Sequence, residues 1–339
     1  DNVGLAVQDI PNEDFLFYNL DASLAENITR YGTNYESTGL LSYMGRVMYQ
    51  YDNRYLFTAT LRSDGSSRLA PGYKWVTYPA VSLGWNVGNE AFMDNVDWVN
   101  LLKFRAGYGE TSNQAIAPYS TQGRLEDINY VDKIPNASLG WEFSETWNYG
   151  LDFGLFNNRL SGTVEYYITK TKDILYDLGL PATSGVANVT SNIGATENRG
   201  VEIALNGTII DTPDFTWDAG INVYANRNEI TSLATGEDEN VGQLWFVGSP
   251  INVIFDHKRL GLWNESDPDY QYLDILEPGG NEGMIKVQYT GEYNPDGSPV
   301  RAINSEDRIV QDPTPDFQGG FNMNFRYKNF ALSTVGTFQ

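Results

Sequence analysis

The stretch Glu145-Thr-Trp-Asn-Tyr-Gly-Leu-Asp-Phe-Gly-Leu155 alternates without a fault. Trp147, Tyr149, Leu151, Phe153 and Leu155 fall on one side, and Thr146, Asn148, Gly150, Asp152 and Gly154 on the other. Successive side chains of a strand point to opposite faces, so this is a strand with one greasy and one wet face. After a break at Asn157-Asn158 the pattern resumes, with Leu160, Gly162, Val164, Tyr166 and Ile168 opposed to Ser161, Thr163, Glu165, Tyr167 and Thr169. Two such runs joined by a tight Asn-Asn turn read as a hairpin.

The same pattern recurs outward from this hairpin. Val201, Ile203 and Leu205 oppose Glu202 and Asn206, and Phe215, Trp217, Ala219, Ile221 and Val223 oppose Asp218, Gly220 and Asn222. Phe317, Phe321, Met323 and Phe325 oppose Gln318, Gly320, Asn322, Asn324 and Arg326. Less regular strands are expected at 38–51, 54–63, 73–87 and 100–109, about ten or eleven in all. The connections alternate too. Short ones are expected at Asp52-Asn53, 95–100, Asn157-Asn158, 211–214 and Lys328-Asn329. Long polar stretches are expected at 64–72, 110–142, 173–192 and 227 to about 250, followed by a segment to 315 with at most one or two irregular strands. Tight turns on one side and large loops on the other are the habit of an up-and-down membrane barrel. Spans of about 10 to 14 residues exceed the usual globular strand and suit a tilted crossing of a bilayer.

Composition agrees with this all-β, transmembrane antiparallel architecture. The 339 residues include 22 Tyr, 16 Phe, 8 Trp and 33 Gly, yet mean hydropathy is only -0.39. Half of each barrel strand is polar, so overall hydropathy stays modest. A net charge of -22 argues against a nucleic-acid partner, which would require clustered Lys and Arg. With no Cys and one His, His257, there is almost no material for disulfides, thiol chemistry, metal clusters of the usual kind or a serine triad. A soluble β-sandwich is the competing fold, but its core would have to hold Asp152, Glu165, Glu202 and Asp218 unpaired.

Particular segments carry a resemblance. Tyr55-Leu-Phe-Thr-Ala-Thr-Leu-Arg-Ser-Asp-Gly-Ser-Ser-Arg68, Tyr78-Pro-Ala-Val-Ser-Leu-Gly-Trp85 and Leu102-Lys-Phe-Arg-Ala-Gly-Tyr-Gly-Glu-Thr-Ser-Asn-Gln114 resemble the SusC/RagA-type TonB-dependent transporters of Bacteroidetes. Trp141-Glu-Phe-Ser-Glu-Thr-Trp-Asn-Tyr-Gly-Leu-Asp-Phe153, Thr169-Lys-Thr-Lys-Asp-Ile-Leu175, Pro181-Ala-Thr-Ser-Gly185, Asn192-Ile-Gly-Ala-Thr-Glu-Asn-Arg-Gly-Val-Glu202 and Asp312-Pro-Thr-Pro-Asp-Phe317 follow in the family's order. The resemblance implies a plugged 22-stranded outer-membrane barrel, of which residues 1–339 would be the C-terminal part. No plug or TonB-box-like segment is found in it, so an internal piece of a longer chain is expected. The resemblance further implies TonB-dependent import of an oligosaccharide or peptide under a SusD-like surface lipoprotein, with TonB engaging the missing N-terminal part. The alternative is a barrel kept as a structural or docking subunit of a larger outer-membrane complex, without uptake.

The candidate residues follow from the two faces. Asn148, Asp152, Glu165, Glu202, Asp218, Asn222, Asn322, Asn324 and Arg326 are expected to line the lumen. Trp147, Tyr149, Leu151, Phe153, Trp217, Ile221, Phe321 and Phe325 are expected to face outer-membrane lipid. The lumen carboxylates could suggest a two-carboxylate glycosidase, but polar lining explains them without chemistry, and no enzyme is expected. Asp64 and Arg68 of Asp64-Gly-Ser-Ser-Arg68 could bind a ligand or simply pair with each other as loop scaffolding, and Tyr119, Tyr130 and Trp245 lie in loops rich enough in aromatics to stack on sugars or contact peptide. No cofactor is called for. Calcium is a weak possibility in the acidic stretch 265–307, with Asp296 and Asp307 as candidate ligands.

Overall fold

The computed structural model describes residues 37–122, 124–127, 130–192, 194–233 and 236–339. Its frame is one antiparallel sheet of ten strands: β1 (Leu40–Tyr51), β2 (Tyr55–Ser66), β3 (Trp75–Asn86), β4 (Val99–Asn113), β5 (Glu142–Leu155), β6 (Leu160–Lys172), β7 (Ala195–Asp211), β8 (Phe215–Ser232), β9 (Gln318–Tyr327) and β10 (Phe330–Phe338). Order in space equals order in the chain, and the outer edges of β1 and β10 have no strand partner among the described residues.

The alternation fixes the register. Arg105, Gly150, Glu165, Glu202 and Tyr224 form one cross-strand row, and Phe104, Leu151, Val164, Ile203 and Val223 form the next. A one-residue slip would exchange every polar row for an apolar one, so patterning and pairing enforce each other. The apolar rows do not close into a core. Trp147 is 47% exposed and Tyr149 45%, while the buried apolar clusters sit in the loops: Leu69, Val76, Ile116, Leu139 and Trp141 in one, Trp263, Leu273 and Leu276 in the other. A soluble sandwich would bury that face; a wall in lipid leaves it open. Among the described residues no helix is long and apolar enough to cross a membrane.

Several boundaries differ from the sequence reading. β4, β6, β7 and β8 continue beyond the alternating stretch, through Asn113, Lys172, 195–198 and 227–232. Where the wall leaves the apolar layer, side-chain alternation fades while backbone pairing persists. The connection 87–98 is longer than the expected break at 95–100 and holds two single-turn 3-10 helices. Its Glu90 is buried and accepts hydrogen bonds from Tyr55 Oη (2.6 Å) and Trp85 Nε1 (2.9 Å), tying it to the β2–β3 end. The β5–β6 turn spans 156–159, with Phe156, Asn157 and Asn158 all left-handed. Asp52 and Asn53 are left-handed as well, a conformation that Asp and Asn tolerate better than other side chains.

The segment 252–315 is more structured than the one or two strands expected. It holds four short strands in two ribbons, Ile254–His257 with Arg308–Gln311 and Arg259–Leu262 with Ile285–Val287, plus the short helix Leu273–Leu276. These strands lack alternation because only one apolar cluster, around Trp263, organises the lobe. The hairpin Leu175–Gly179 with Asn188–Asn192 rises from the β6–β7 loop, and the ribbon Arg124–Asp127 with Tyr130–Lys133 from the β4–β5 loop.

Candidate functional site

The polar face carries a cluster of paired charges at mid-wall. Arg105 on β4 donates Nε to Asp152 Oδ2 (2.8 Å), Nη2 to Asp152 Oδ1 (2.9 Å), and Nη2 to Glu165 Oε1 (2.6 Å) on β6, one strand beyond. It crosses β5 over Gly150, where a Cβ would sit 2.8 Å from the guanidinium carbon. Thr163 Oγ1 completes the group by donating to Asp152 (3.0 Å). The arrangement repeats one row higher: the Tyr167 hydroxyl lies over Gly200 and donates to Asn226 Oδ1 (3.1 Å). These residues make a fixed polar lining of alternating charge, with every carboxylate of the cluster held by a donor.

The other residues of this face extend the lining. Asn148 stands in the row of Tyr167 and Gly200, and Glu202 stands opposite Glu165. Asn206 and Asn322 converge over Gly220. Asn222 stands opposite Gly320, Asp218 accepts from Thr208 Oγ1 (2.7 Å), Asn324 accepts from Ser333 Oγ (2.8 Å), and Arg326 pairs across from Thr216. On the opposite face, Trp217 stacks on Phe325 at 5.5 Å and Trp147 on Tyr149 at 6.3 Å. Phe153 covers Gly162, Phe321 covers Gly336, and Leu151 and Ile221 fill the intervening rows.

The structure separates the loop candidates. Asp64 is buried and receives hydrogen bonds from Arg62 Nε (2.9 Å) and the Tyr78 hydroxyl. Arg68 Nη1 donates to the Ile116 carbonyl (3.1 Å). The two therefore do not pair with each other; each ties the β2 end to a different neighbour, because the strand runs on to Ser66 and turns their side chains apart. Tyr119 is left-handed, and its hydroxyl accepts from the Ser37 amide (3.1 Å). Trp245 packs on Tyr176 with ring centres 4.4 Å apart, and the Tyr176 hydroxyl donates to Gln243 (2.7 Å). Tyr176 also lines a cavity of about 360 Å³ with Ile116, Ser120, Leu175, Asp177 and Thr190. Tyr130 opens a short strand, and its side chain lies outside the described residues, as does all structure before residue 37.

Several carboxylates of the acidic stretch have partners within it. Asp307 is fully buried and accepts from Arg301 Nη1 (2.5 Å), the Thr290 amide (2.8 Å) and hydroxyl (2.9 Å), and the Asn304 amide (2.9 Å). Burial alone would raise its pKa, but the Arg301 guanidinium and the two amides hold the carboxyl well below the ordinary range. Asp296 instead accepts from the Ser298 amide and hydroxyl in a local turn. The two calcium candidates thus have separate partners, and no group of three or more potential metal ligands occurs among the described residues. Lys286 occupies Asp267 (3.1 Å) and Asp269 (2.5 Å) while lying 4.5 Å over the Trp263 ring.

Sequence reasoning missed Arg105 and Asn226, and with them the bonds of Arg105 to Asp152 and Glu165 and of Tyr167 to Asn226. Parity could have placed Arg105 inward, since Leu102, Phe104, Ala106 and Tyr108 are its outward neighbours. The partner across Gly150 depends on register, which no local pattern states.

Comparison with known proteins adds three findings. A family model described as TonB dependent receptor-like, beta-barrel matches residues 3–335. The chain is 34% identical over 316 residues to TonB-dependent receptor P3 of Formosa agariphila, and 35% identical over 336 residues to the TonB-dependent receptor SusC of Bacteroides thetaiotaomicron. These alignments cover 87% and 92% of this chain and 31% and 32% of the two receptors, so the chain spans about a third of the length of the curated relatives it matches. The solved structure of the RagAB peptide transporter superposes with a TM-score of 0.73 at 27% identity, over 88% of this chain and 33% of that one.

Proposed function

The chain belongs to the TonB dependent receptor-like β-barrel family, and from that premise we propose that the whole protein actively imports an oligosaccharide or peptide across the bacterial outer membrane. Its wall crosses that membrane, apolar face to lipid and polar face to the lumen, with the short turns periplasmic and the long loops outside. In this reading TonB supplies the energy through the remainder of the protein, and a SusD-like lipoprotein covers the loops. The observation that carries it is the fixed polar wall around Arg105, Asp152 and Glu165, whose paired charges offer a passing polar solute hydrogen-bonding groups. Nothing in the proposal requires bond chemistry. The carboxylates Asp152 and Glu165 are both committed to Arg105.

Ligand contact is assigned to the loop cavity around Tyr176, because an aromatic pair beside a polar-rimmed hollow suits sugar rings and peptide side chains alike. The test is to isolate the full-length protein in mild detergent and identify its companions by mass spectrometry. A SusD-like lipoprotein with bound glycan or peptide supports import. Recovery inside an assembly of other surface proteins, with no ligand and no uptake in cells, sinks it in favour of a structural subunit. Tyr176→Ala and Trp245→Ala should each weaken ligand retention by roughly two- to thirteenfold, from about 0.5–1.5 kcal/mol of aromatic contact.

A further inference from the structure

We propose that Asn192 is the positioning residue of the cavity around Tyr176, its carboxamide fixing one wall of that hollow before any solute arrives. The inference rests on the assignment of ligand contact to that cavity. The hollow lies between two walls. One is the loop that carries Ile116 and Ser120; the other is the hairpin Leu175–Gly179 with Asn188–Asn192, which brings Tyr176, Asp177 and Thr190. The first wall is tied to the frame by Arg68, whose Nη1 donates to the Ile116 carbonyl at 3.1 Å. The second leaves β6 at the left-handed Asp173 and returns to β7 at Ala195. A hairpin of two five-residue strands is marginal by itself, so its place has to be set from outside.

Asn192 sets it. Its Oδ1 accepts from the Gly140 amide (2.7 Å), and its Nδ2 donates to the carbonyls of Gly140 (3.1 Å), Trp141 (3.4 Å) and Asp173 (2.9 Å). One side chain thereby joins the foot of the hairpin to the residues that enter β5 and to the residue that leaves β6. Two single ties flank it, from Asn136 Nδ2 to the Thr190 carbonyl (2.9 Å) and from the Leu175 amide to Glu142 Oε2 (3.1 Å). Leu175 also packs against the buried cluster that holds Ile116, Leu139 and Trp141. The tip is exposed from Pro181 to Gly185, so the hairpin is held at its foot. A carboxamide suits this place because it offers an acceptor and two donors at once, whereas a carboxylate of the same size would face three carbonyl oxygens with no donor. A hairpin in place only about a tenth of the time would lower apparent affinity about tenfold with every contact residue intact.

The experiment uses the full-length protein in mild detergent, titrated by native mass spectrometry with a panel of neutral hexasaccharides and heptapeptides. Hydrogen exchange over 174–192 is read in parallel, and heat-modifiable migration reports on the barrel. Asn192→Asp keeps the size and the acceptor but removes the donors; Asn192→Gln keeps the carboxamide on a longer stem. Asn192→Asp should speed exchange in the hairpin and weaken retention of the probes that wild type takes by roughly tenfold, with unchanged migration. Asn192→Gln should recover part of both losses, the reverse of what a role in filling space would give. A protected hairpin with retention within about twofold of wild type in Asn192→Asp overturns the proposal. So does a loosened hairpin with unchanged retention where Tyr176→Ala still weakens it, since the cavity then binds without needing to be held. If neither variant changes retention, or wild type takes no member of the panel, the assignment of ligand contact to this cavity falls and the inference with it. Should Asn192→Asp fail to insert, Asn136→Ala takes away the tie to Thr190 and should give faster exchange with about a threefold loss of retention. No change in either overturns the proposal.

Discussion

Arg105 reaches Glu165 across β5 because Gly150 leaves its path open. Gly150→Val should therefore displace the guanidinium and free Glu165, costing about 1–3 kcal/mol in equilibrium folding into vesicles, the range for unmaking charge-assisted hydrogen bonds. Gly162→Ala provides a contrast on the apolar face, where the methyl would press on the Ala204 carbonyl oxygen, Leu205 and Phe153 and disturb packing but no ion pair. Asp307 makes a second prediction at this scale. Its folded-state pKa is depressed, so the stability it adds is fully present above the unfolded carboxylate value near 4 and is lost as pH falls below that value. Protection of the Thr290 and Asn304 amides from hydrogen exchange, taken relative to the intrinsic rate at each pH, should fall below about pH 4 in the wild type. Asp307→Asn should remove the pH dependence and loosen the lobe at neutral pH by about 3 kcal/mol, read as faster proteolysis between 258 and 307. Wild-type protection that stays constant through this range would refute the assignment.

A strand of this wall tolerates change on one face and not on the other. Leu151→Lys should cost about 2–4 kcal/mol, the value for a cation placed on a lipid face near mid-bilayer, while Asn148→Lys, on the polar face of the same strand, should cost under about 1 kcal/mol. Equal costs would mean that the outward face is not in lipid. The two faces of β5 to β9 are legible in the sequence because side-chain alternation is a local consequence of backbone geometry. The strand ends beyond Asn113 and Lys172 are not, since outside the apolar layer nothing forces alternation while the ladder still runs. The lobe at 252–315 is hidden for a related reason. It is held by one buried Trp, one buried Asp and a few ion pairs between residues far apart in sequence, none of which leaves a periodic trace. Among the site residues, those on one face could be read from parity. The bond of Arg105 to a strand beyond its neighbour, and the divergence of Asp64 from Arg68, required register.

At the scale of the molecule, the apolar residues of the wall have no core to enter, and detergent must stand in for what covers them. The full-length protein should remain in the membrane through high salt and carbonate washes and come out only with detergent. Release by salt alone would contradict the reading of the apolar face. The sheet's order has a further consequence, for how such a wall is made. Because every strand of the sheet pairs with the strand before and after it, each can dock as soon as it is delivered, and only β9 has to wait, for the lobe that separates it from β8. Growth can then proceed as a zipper with one live edge, in which each strand laid down templates the next. An interruption at any point leaves a shorter sheet of the same kind rather than a tangle.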